Sequence, residues 1–343
     1  MTTQLDCSVG LKKETTYGSA VTVDRFPEFI DESLAWNPTF VQGAGMRVGS
    51  RLARSNRRVL AKQSAGGDIN VELVSKGLGI LLEALFGTGV STAVPGQSGV
   101  FQQLYTPTTT DPLNSYTIQK GIPTLGGGAA TAMTFLGAVC TSGEFSASNA
   151  DIVKLKTSWD AREVKTDIAY AAPSYVVGGE LFHFAEGAIT IGGTQTPPTA
   201  TALATGGTVA ATIDDFSVSF DNKVDDGGFT LGAGGKRSRK PVVGLAEAKG
   251  KVTAEYQDTV LRDAYLNQTA LALTLTFLST TTIGTSAKYA LQFHFPDIRL
   301  EGELPKSGGG SPVKQSIDFT VLDGLAAGTS PIYVALVTTD ATI

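Results

Sequence analysis

The segment RVGSRLARSNRR places Arg47, Arg51, Arg54, Arg57 and Arg58 within twelve residues of a chain whose formal net charge is −5. Guanidinium groups at that density can bind phosphates, lie on an anionic membrane surface, or grip carboxylates across an interface. Arg47, Arg51, Arg54 and Arg58 would share one face of a helix, the arrangement of a nucleic-acid reader. Gly43, Gly45 and Gly49 oppose that helix, each costing about 1 kcal/mol relative to Ala. An extended segment suits the pattern better, with Met46, Val48 and Leu52 on one side of a strand and Arg47 and Arg51 on the other. QGAG, residues 42–45, then reads as the turn of a hairpin spanning 37–58. Its limbs would each reach about 30 Å at strand rise, roughly twice the ordinary strand length. An edge so long cannot be satisfied within its own small domain and is expected to seek a neighbour.

A second cationic stretch, GGKRSRKP, carries Lys236, Arg237, Arg239 and Lys240, with Asp221, Asp225 and Asp226 just before it. The expectation is that all twelve of these side chains serve contacts between subunits, because the planar arginine fork pairs bidentately with carboxylates in partly buried interfaces. Asp31, Glu32, Asp214 and Asp215 are further acidic partners. A solvated basic loop and a nucleic-acid contact are the two alternatives.

Other chemistry finds little support. His183 in LFHFAEG and His294 in LQFHFPD each stand between two phenylalanines, as strand residues do. Cys7 and Cys140 lie far apart and read as free thiols, and no Cys/His cluster has zinc spacing. DNKVDDGG, residues 221–228, lacks a calcium loop's ligands, since Lys223 holds the third position and Gly232 the twelfth. GAGMRVGS and LGAGGKRS place glycines beside a cation without matching a P-loop. No nucleophile, base and orienting group can be nominated, so neither catalysis nor a cofactor or metal is expected.

The elements that must position the arginines repeat along the chain. ESLAWNP recurs as FSVSFDN, placing Trp36 over Phe220 and Leu34 over Val218. RLARSNRRVL is answered by GGKRSRKPVV, Gly67 falls on Gly250, Glu72 on Glu255, Glu144 on Glu303, and Trp159 on Phe319. With 343 residues, 40 of them glycine, and period-two alternation in both halves, the chain reads as mainly β. The expected fold is two tandem, similar β-sandwich or barrel domains, each with one flanking helix and a long protruding β-hairpin. The boundaries read as an N-terminal arm at 1–27, a first domain at 28–185, a Pro- and Thr-rich linker or exposed loop at 186–210, and a second domain at 211–343. Each copy holds one convincing helix, the first ending at Gly87 and the second capped by Asp258. Both tryptophans, Trp36 and Trp159, sit in apolar alternation and read as core. No signal peptide or membrane span is indicated, which leaves the cytoplasm as the expected place of synthesis.

VGLKKETTYGSAVTVDRFPEFIDESL, the arginine-studded hairpin and GGDINVELVSKGLGILLEALFG together resemble the tail tube (major tail) proteins of long-tailed bacteriophages. That resemblance covers most of the first copy and is fainter in the second. It implies a structural virion protein that self-assembles into stacked rings around a lumen, with hairpins pairing between neighbours and viral DNA passing through without specific binding. It also implies tail terminator, tape measure and distal tail proteins as partners, and a place in the virion tail after assembly in the bacterial cytoplasm. Members usually carry one domain and form rings of six, so a chain with two copies implies a trimeric ring with pseudo-sixfold symmetry. The rival reading is a β-sandwich carbohydrate-binding or adhesion module of a virion surface.

Overall fold

A computed structural model describes residues 3–110, 112–124, 130–209, 213–256, 259–302, 304–306, 309–310 and 312–343. The first half contains strands β1 (Ser8–Lys13), β2 (Phe29–Glu32), β3 (Ala35–Gln42), β4 (Arg58–Glu72), β5 (Val90–Ala93), β6 (Phe101–Tyr105), β7 (Tyr116–Pro123), β8 (Ala130–Ala147), β9 (Lys154–Ala161) and β10 (Glu163–Lys165). Helix α1 (Gly79–Phe86) lies between β4 and β5. The second half contains β11 (Gly187–Ile191), β12 (Gln195–Thr196), β13 (Thr205–Gly206), β14 (Ile213–Asp221), β15 (Glu247–Glu255), β16 (Leu271–Ile283), β17 (Ala287–Gly302), β18 (Lys314–Val321) and β19 (Tyr333–Thr338), with helix α2 (Val260–Leu266) after β15. The fold is mainly β, as the alternation indicates, and its strand pairs are antiparallel.

One pattern of pairing occurs twice. β1 pairs with β7, β7 with β8, and β8 with both β10 and β9; β9 then pairs with β4, and β4 with β2 and β3. In the second half β11 pairs with β16, β16 with β17, and β17 with both β19 and β18; β18 then pairs with β15, and β15 with β14. The register repeats as well, with Gly67 opposite Trp159 and Gly250 opposite Phe319. Even an irregularity recurs, between Phe29 and Asp31 in β2 and between Ile213 and Asp215 in β14. Glycine is required at these positions, because a Cβ at Gly250 would lie 2.1 Å from the Phe319 ring and one at Gly67 2.4 Å from the Ser33 carbonyl oxygen.

Alternation decides which face each strand buries. Phe216, Val218 and Phe220 of β14 point into the core while Ser217, Ser219 and Asp221 point away from it. α1 is apolar almost all round and is accordingly buried on nearly every side, ending where Gly87 adopts a left-handed φ of 81° and donates its N–H to Glu83. Its Phe86 packs on Phe220 of the second half at 5.1 Å between ring centroids, so α1 is covered by both halves. α2 has no such cover; only Ala264 is buried, and Val260 and Leu266 are exposed.

Several expectations need correction. β1, with Val9 and Leu11 buried, makes residues 8–13 part of the first sheet and leaves no free N-terminal arm there. β11, with Ile189 and Ile191 buried, does the same for the start of the expected linker, where Ile alternation outweighs the later Pro and Thr bias. The first hairpin is β3 and β4, but its strands stop at Gln42 and resume at Arg58, and the distal turn falls at Val48 and Gly49 instead of in QGAG. In the second half residues 222–246 form no strand, so no long hairpin protrudes there. Asp258 and Glu303 lie outside the described residues. The C-terminal strand β19 pairs with β17 and also with β6 of the first half, so it completes a sheet of its own chain.

His294 sits fully buried on β17, its Nδ1 2.8 Å from Thr274 Oγ1 and its Nε2 without a partner. Burial lowers its pKa from 6.5 to about 4. Below pH 6.5 the unfolded chain therefore takes up a proton that the folded chain refuses until about pH 4, so stability falls as pH drops through that window, by up to about 3 kcal/mol. Urea unfolding of the free subunit should show this loss between pH 7 and pH 4.5, and His294→Gln should remove that part of it.

Candidate assembly site: strand edges, arms and a polar face

From the arginine arm, one continuous run of eight strands follows in the order β3, β4, β9, β8, β14, β15, β18, β17. Its middle seam joins the two halves. There β14 pairs with the C-terminal part of β8, Phe216 opposite Ala147, Val218 opposite Phe145, and Phe220 opposite Gly143. The ends of the run are the outer edge of β3 and the outer edge of the C-terminal part of β17. Seven inter-strand spacings separate these ends, about 34 Å along the sheet, so they cannot reach each other within one chain.

Exposure distinguishes the two kinds of edge. Phe220 and Phe145, at the internal seam, are 4% and 3% exposed. Their counterparts by pairing position, Trp36 and Leu304, are 45% and 49% exposed. The expectation that Trp36 is core thus fails, whereas Trp159 is buried. Phe220 is covered by α1, while Trp36 stays half exposed, with the Phe40 ring meeting it edge-on at 6.2 Å.

The two arms behave differently. In the first, Met46, Val48 and Leu52 are almost fully exposed, and among the described residues Arg47, Arg51, Arg54, Arg57 and Arg58 make no ion pair. Arg58 stacks over Phe40 at 4.6 Å, the Arg54 carbonyl accepts from Gln42 Nε2 at 3.1 Å, and Arg54 Nε is buried without a partner. The second arm, 222–246, folds back on the first half. Arg237 is 4% exposed and meets Asp160 at the end of β9 at 2.6 Å. Lys236 contacts Glu163, the Arg237 carbonyl accepts from Arg162 Nε at 3.0 Å, and the Gly235 carbonyl accepts from the Gln63 amide at 2.8 Å. Phe229 lies under both Lys62 and Arg237, 4.0 and 5.3 Å from its ring centre. Lys240 donates to the Leu113 carbonyl at 3.1 Å.

Asp225 pairs with Arg239 at 2.7 Å, and that guanidinium, with the Val242 amide, draws its pKa down to about 2. Asp160 moves the other way, because burial raises its pKa more than Arg237 lowers it. Asp221 pairs with Lys223 at 2.8 Å, and Asp226 is exposed. Of the residues expected between subunits, Lys236, Arg237, Arg239, Lys240, Asp221 and Asp225 therefore have partners within the chain. Sequence reasoning missed Asp160 and Glu163 as acceptors; the repeat that lays Arg54 on Arg237 was the available signal, since it marks one arm as the template for the other.

The face of the eight-strand run turned away from the core is polar. It carries Asp68, Glu72, Glu144, Asp160, Asp215, Asp221, Glu247, Glu255, Glu301 and Asp318 against Lys154, Lys156, Lys249, Lys251, Arg299 and Lys314, with serines between them. Some charges neutralise each other locally, as Lys156 and Asp68 do at 2.9 Å. Lys62 of β4 lies beside Asp160, and Lys223 and Arg237 of the second arm pair with Asp221, Glu247 and Asp160, so among the described residues the charges of this face come close to balance. Among the described residues no group of three or more His, Cys, Asp and Glu is arranged to hold a metal, and no helix is long and apolar enough to cross a membrane.

A search of curated proteins finds no match to the chain. A family model described as phage tail tube protein matches residues 4–321, nearly the whole length.

Proposed function

Because the chain belongs to the phage tail tube protein family, whose role is structural and lies in the virion tail, we propose that three copies close into a ring and that stacked rings conduct viral DNA. The observation that supports this is the doubled pairing pattern with its internal seam, which we read as two tandem modules with a free edge at each end of the eight-strand run. The second module would then start at β11, ahead of the boundary expected at 211.

Strand number supports three. At about 4.8 Å between strands tilted by about 40°, eight strands from each of three chains close a barrel about 45 Å across its backbone, or about 30 Å between facing side chains. Two chains would leave about 15 Å by the same reckoning, too narrow for duplex DNA. The polar face would line the bore, and its near-balanced charges and serines would offer phosphates no cationic patch to hold, letting DNA slide. Tail terminator, tape measure and distal tail proteins are the expected neighbours along the tube, and assembly would take place in the host cytoplasm.

The exposed Trp36 and Phe40 are what would favour a carbohydrate-binding module, but they meet edge-on and form no flat platform. Electron microscopy of the concentrated protein and mass measurement of isolated rings test the proposal. Tubes built from three-chain rings are expected, whereas six chains per ring, or a discrete monomer at every concentration, would refute it. Alanine at Arg51, Arg54 and Arg57 together should impair tube growth at least tenfold while leaving the circular dichroism spectrum of the free subunit unchanged, because these cations have no ion-pair partner within the described residues to lose.

A further inference from the structure

The backbone at Leu34, in the link between β2 and β3 at the head of the outer edge of β3, is held in the free chain by two side chains. The Ser33 N–H donates to Asp68 on β4 at 2.9 Å, so Leu34, next along, turns its own N–H and C=O away from β4. Its N–H donates to Glu32 Oε2 at 2.8 Å, and its carbonyl accepts from Lys120 Nζ at 2.8 Å. Lys120 and Glu32 pair at 3.0 Å, largely shielded from water. The amide and carbonyl of the residue that leads into β3 are thereby satisfied by an ion pair.

Resting on the ring reading above, we propose that this edge is the docking strand for the end of β17 of a second copy, and that the Glu32–Lys120 pair is a latch occupying it until that copy arrives. The internal seam supplies the register. Matching Trp159 with Phe319 and Gly67 with Gly250 makes Leu34 the counterpart of Val218, Trp36 of Phe220, Gly302 of Gly143, and Leu304 of Phe145. Val218 lies opposite Phe145, Phe220 opposite Gly143, and Asp221 opposite Ser142. Between chains, Leu34 is then opposite Leu304, Trp36 opposite Gly302, and Asn37 opposite Glu301. Trp36 enters beside α2, whose last residue, Leu266, is exposed, as Phe220 enters beside the last residue of α1.

The latch has no counterpart where the seam is permanent. The positions of Glu32 and Lys120 are held in the second half by Phe216 and Leu275, fixed by the pairing of Lys120 with Met133 and of Leu275 with Phe293. Buried charge on an edge strand deters unscheduled strand pairing, and breaking a shielded ion pair slows whatever must displace it.

Two experiments on the full chain test this. In a Cys7→Ser background, Asn37→Cys combined with Glu301→Cys should give interchain disulfides in oxidised tubes that stop at three chains, while Asn37→Cys with Arg299→Cys, two residues out of register, should give none. Cross-linking in the shifted pair alone, in tubes of three-chain rings, overturns the register and leaves the tube reading standing; a protein that never polymerises overturns the tube reading itself. Lys120→Met and, separately, the near-isosteric Glu32→Gln should shorten the lag before polymerisation about tenfold without changing the circular dichroism spectrum. An unchanged or longer lag in both variants overturns the latch.

Discussion

Replacing Trp36 with Ala should leave the free subunit folded and raise the concentration needed for tube growth about 30- to 150-fold. The size follows from area. A tryptophan that is 45% exposed still has much of its indole to bury, and covering it in a seam of the internal kind contributes about 2 to 3 kcal/mol. One such contact forms for each chain added to a ring. Phe220→Ala makes the contrasting case, because its ring is already packed on Phe86 inside the chain; that change should destabilise the subunit itself by about 3 to 5 kcal/mol. Sedimentation across a concentration series measures the first effect and urea unfolding the second. A Trp36→Ala protein that polymerises at the wild-type threshold would show that the seam lies elsewhere. In a Trp159→Phe background, Trp36 emission should also move to shorter wavelength as tubes form.

Arg237→Ala is expected to be the most damaging single change in either arm. It leaves Asp160 shielded without its cation, removes the guanidinium from Phe229, and loosens the turn whose Gly235 carbonyl accepts from Gln63. Breaking one side of a buried ion pair costs about 3 to 5 kcal/mol. Arg239→Ala should cost no more than about 1 kcal/mol, because its pair with Asp225 is 47% exposed on the arginine side and water replaces much of the interaction. Pairing Arg237→Met with Asp160→Leu should recover most of the loss, since an apolar pair needs no compensating charge. Unfolding midpoints for the four proteins decide the matter, and equal losses for Arg237→Ala and Arg239→Ala would contradict the role given to burial. The same comparison separates the arms. Arg54, which the repeat lays on Arg237, has no carboxylate partner within the described residues, so its removal should fall on assembly and spare folding.

Much of the fold was legible from local pattern. Alternation located β3, β7, β9, β14 and β18, and the glycine that ends α1 was readable as such, because side-chain period and left-handed φ are properties of a few consecutive residues. The counterparts Trp36 and Phe220, and Gly67 and Gly250, were legible for the same reason, and the repeated pairing registers agree with them. The arms were not legible. The cations of 47–58 and 236–240 look alike in sequence, yet one set stands without ion pairs among the described residues while Arg237 is buried on Asp160, a residue 77 positions earlier.

The sequence by itself determined the β character, the doubling of its elements, and which face of each strand is apolar, since these depend on neighbours along the chain. Only the tertiary structure decided which of two matching aromatic positions is covered. Trp36 and Phe220 occupy the same place in the same alternation, but α1 lies over Phe220 and β8 pairs beside it, whereas among the described residues Trp36 stays half exposed. Burial requires a second surface, and what supplies it is set by packing between distant segments, which strand periodicity does not encode.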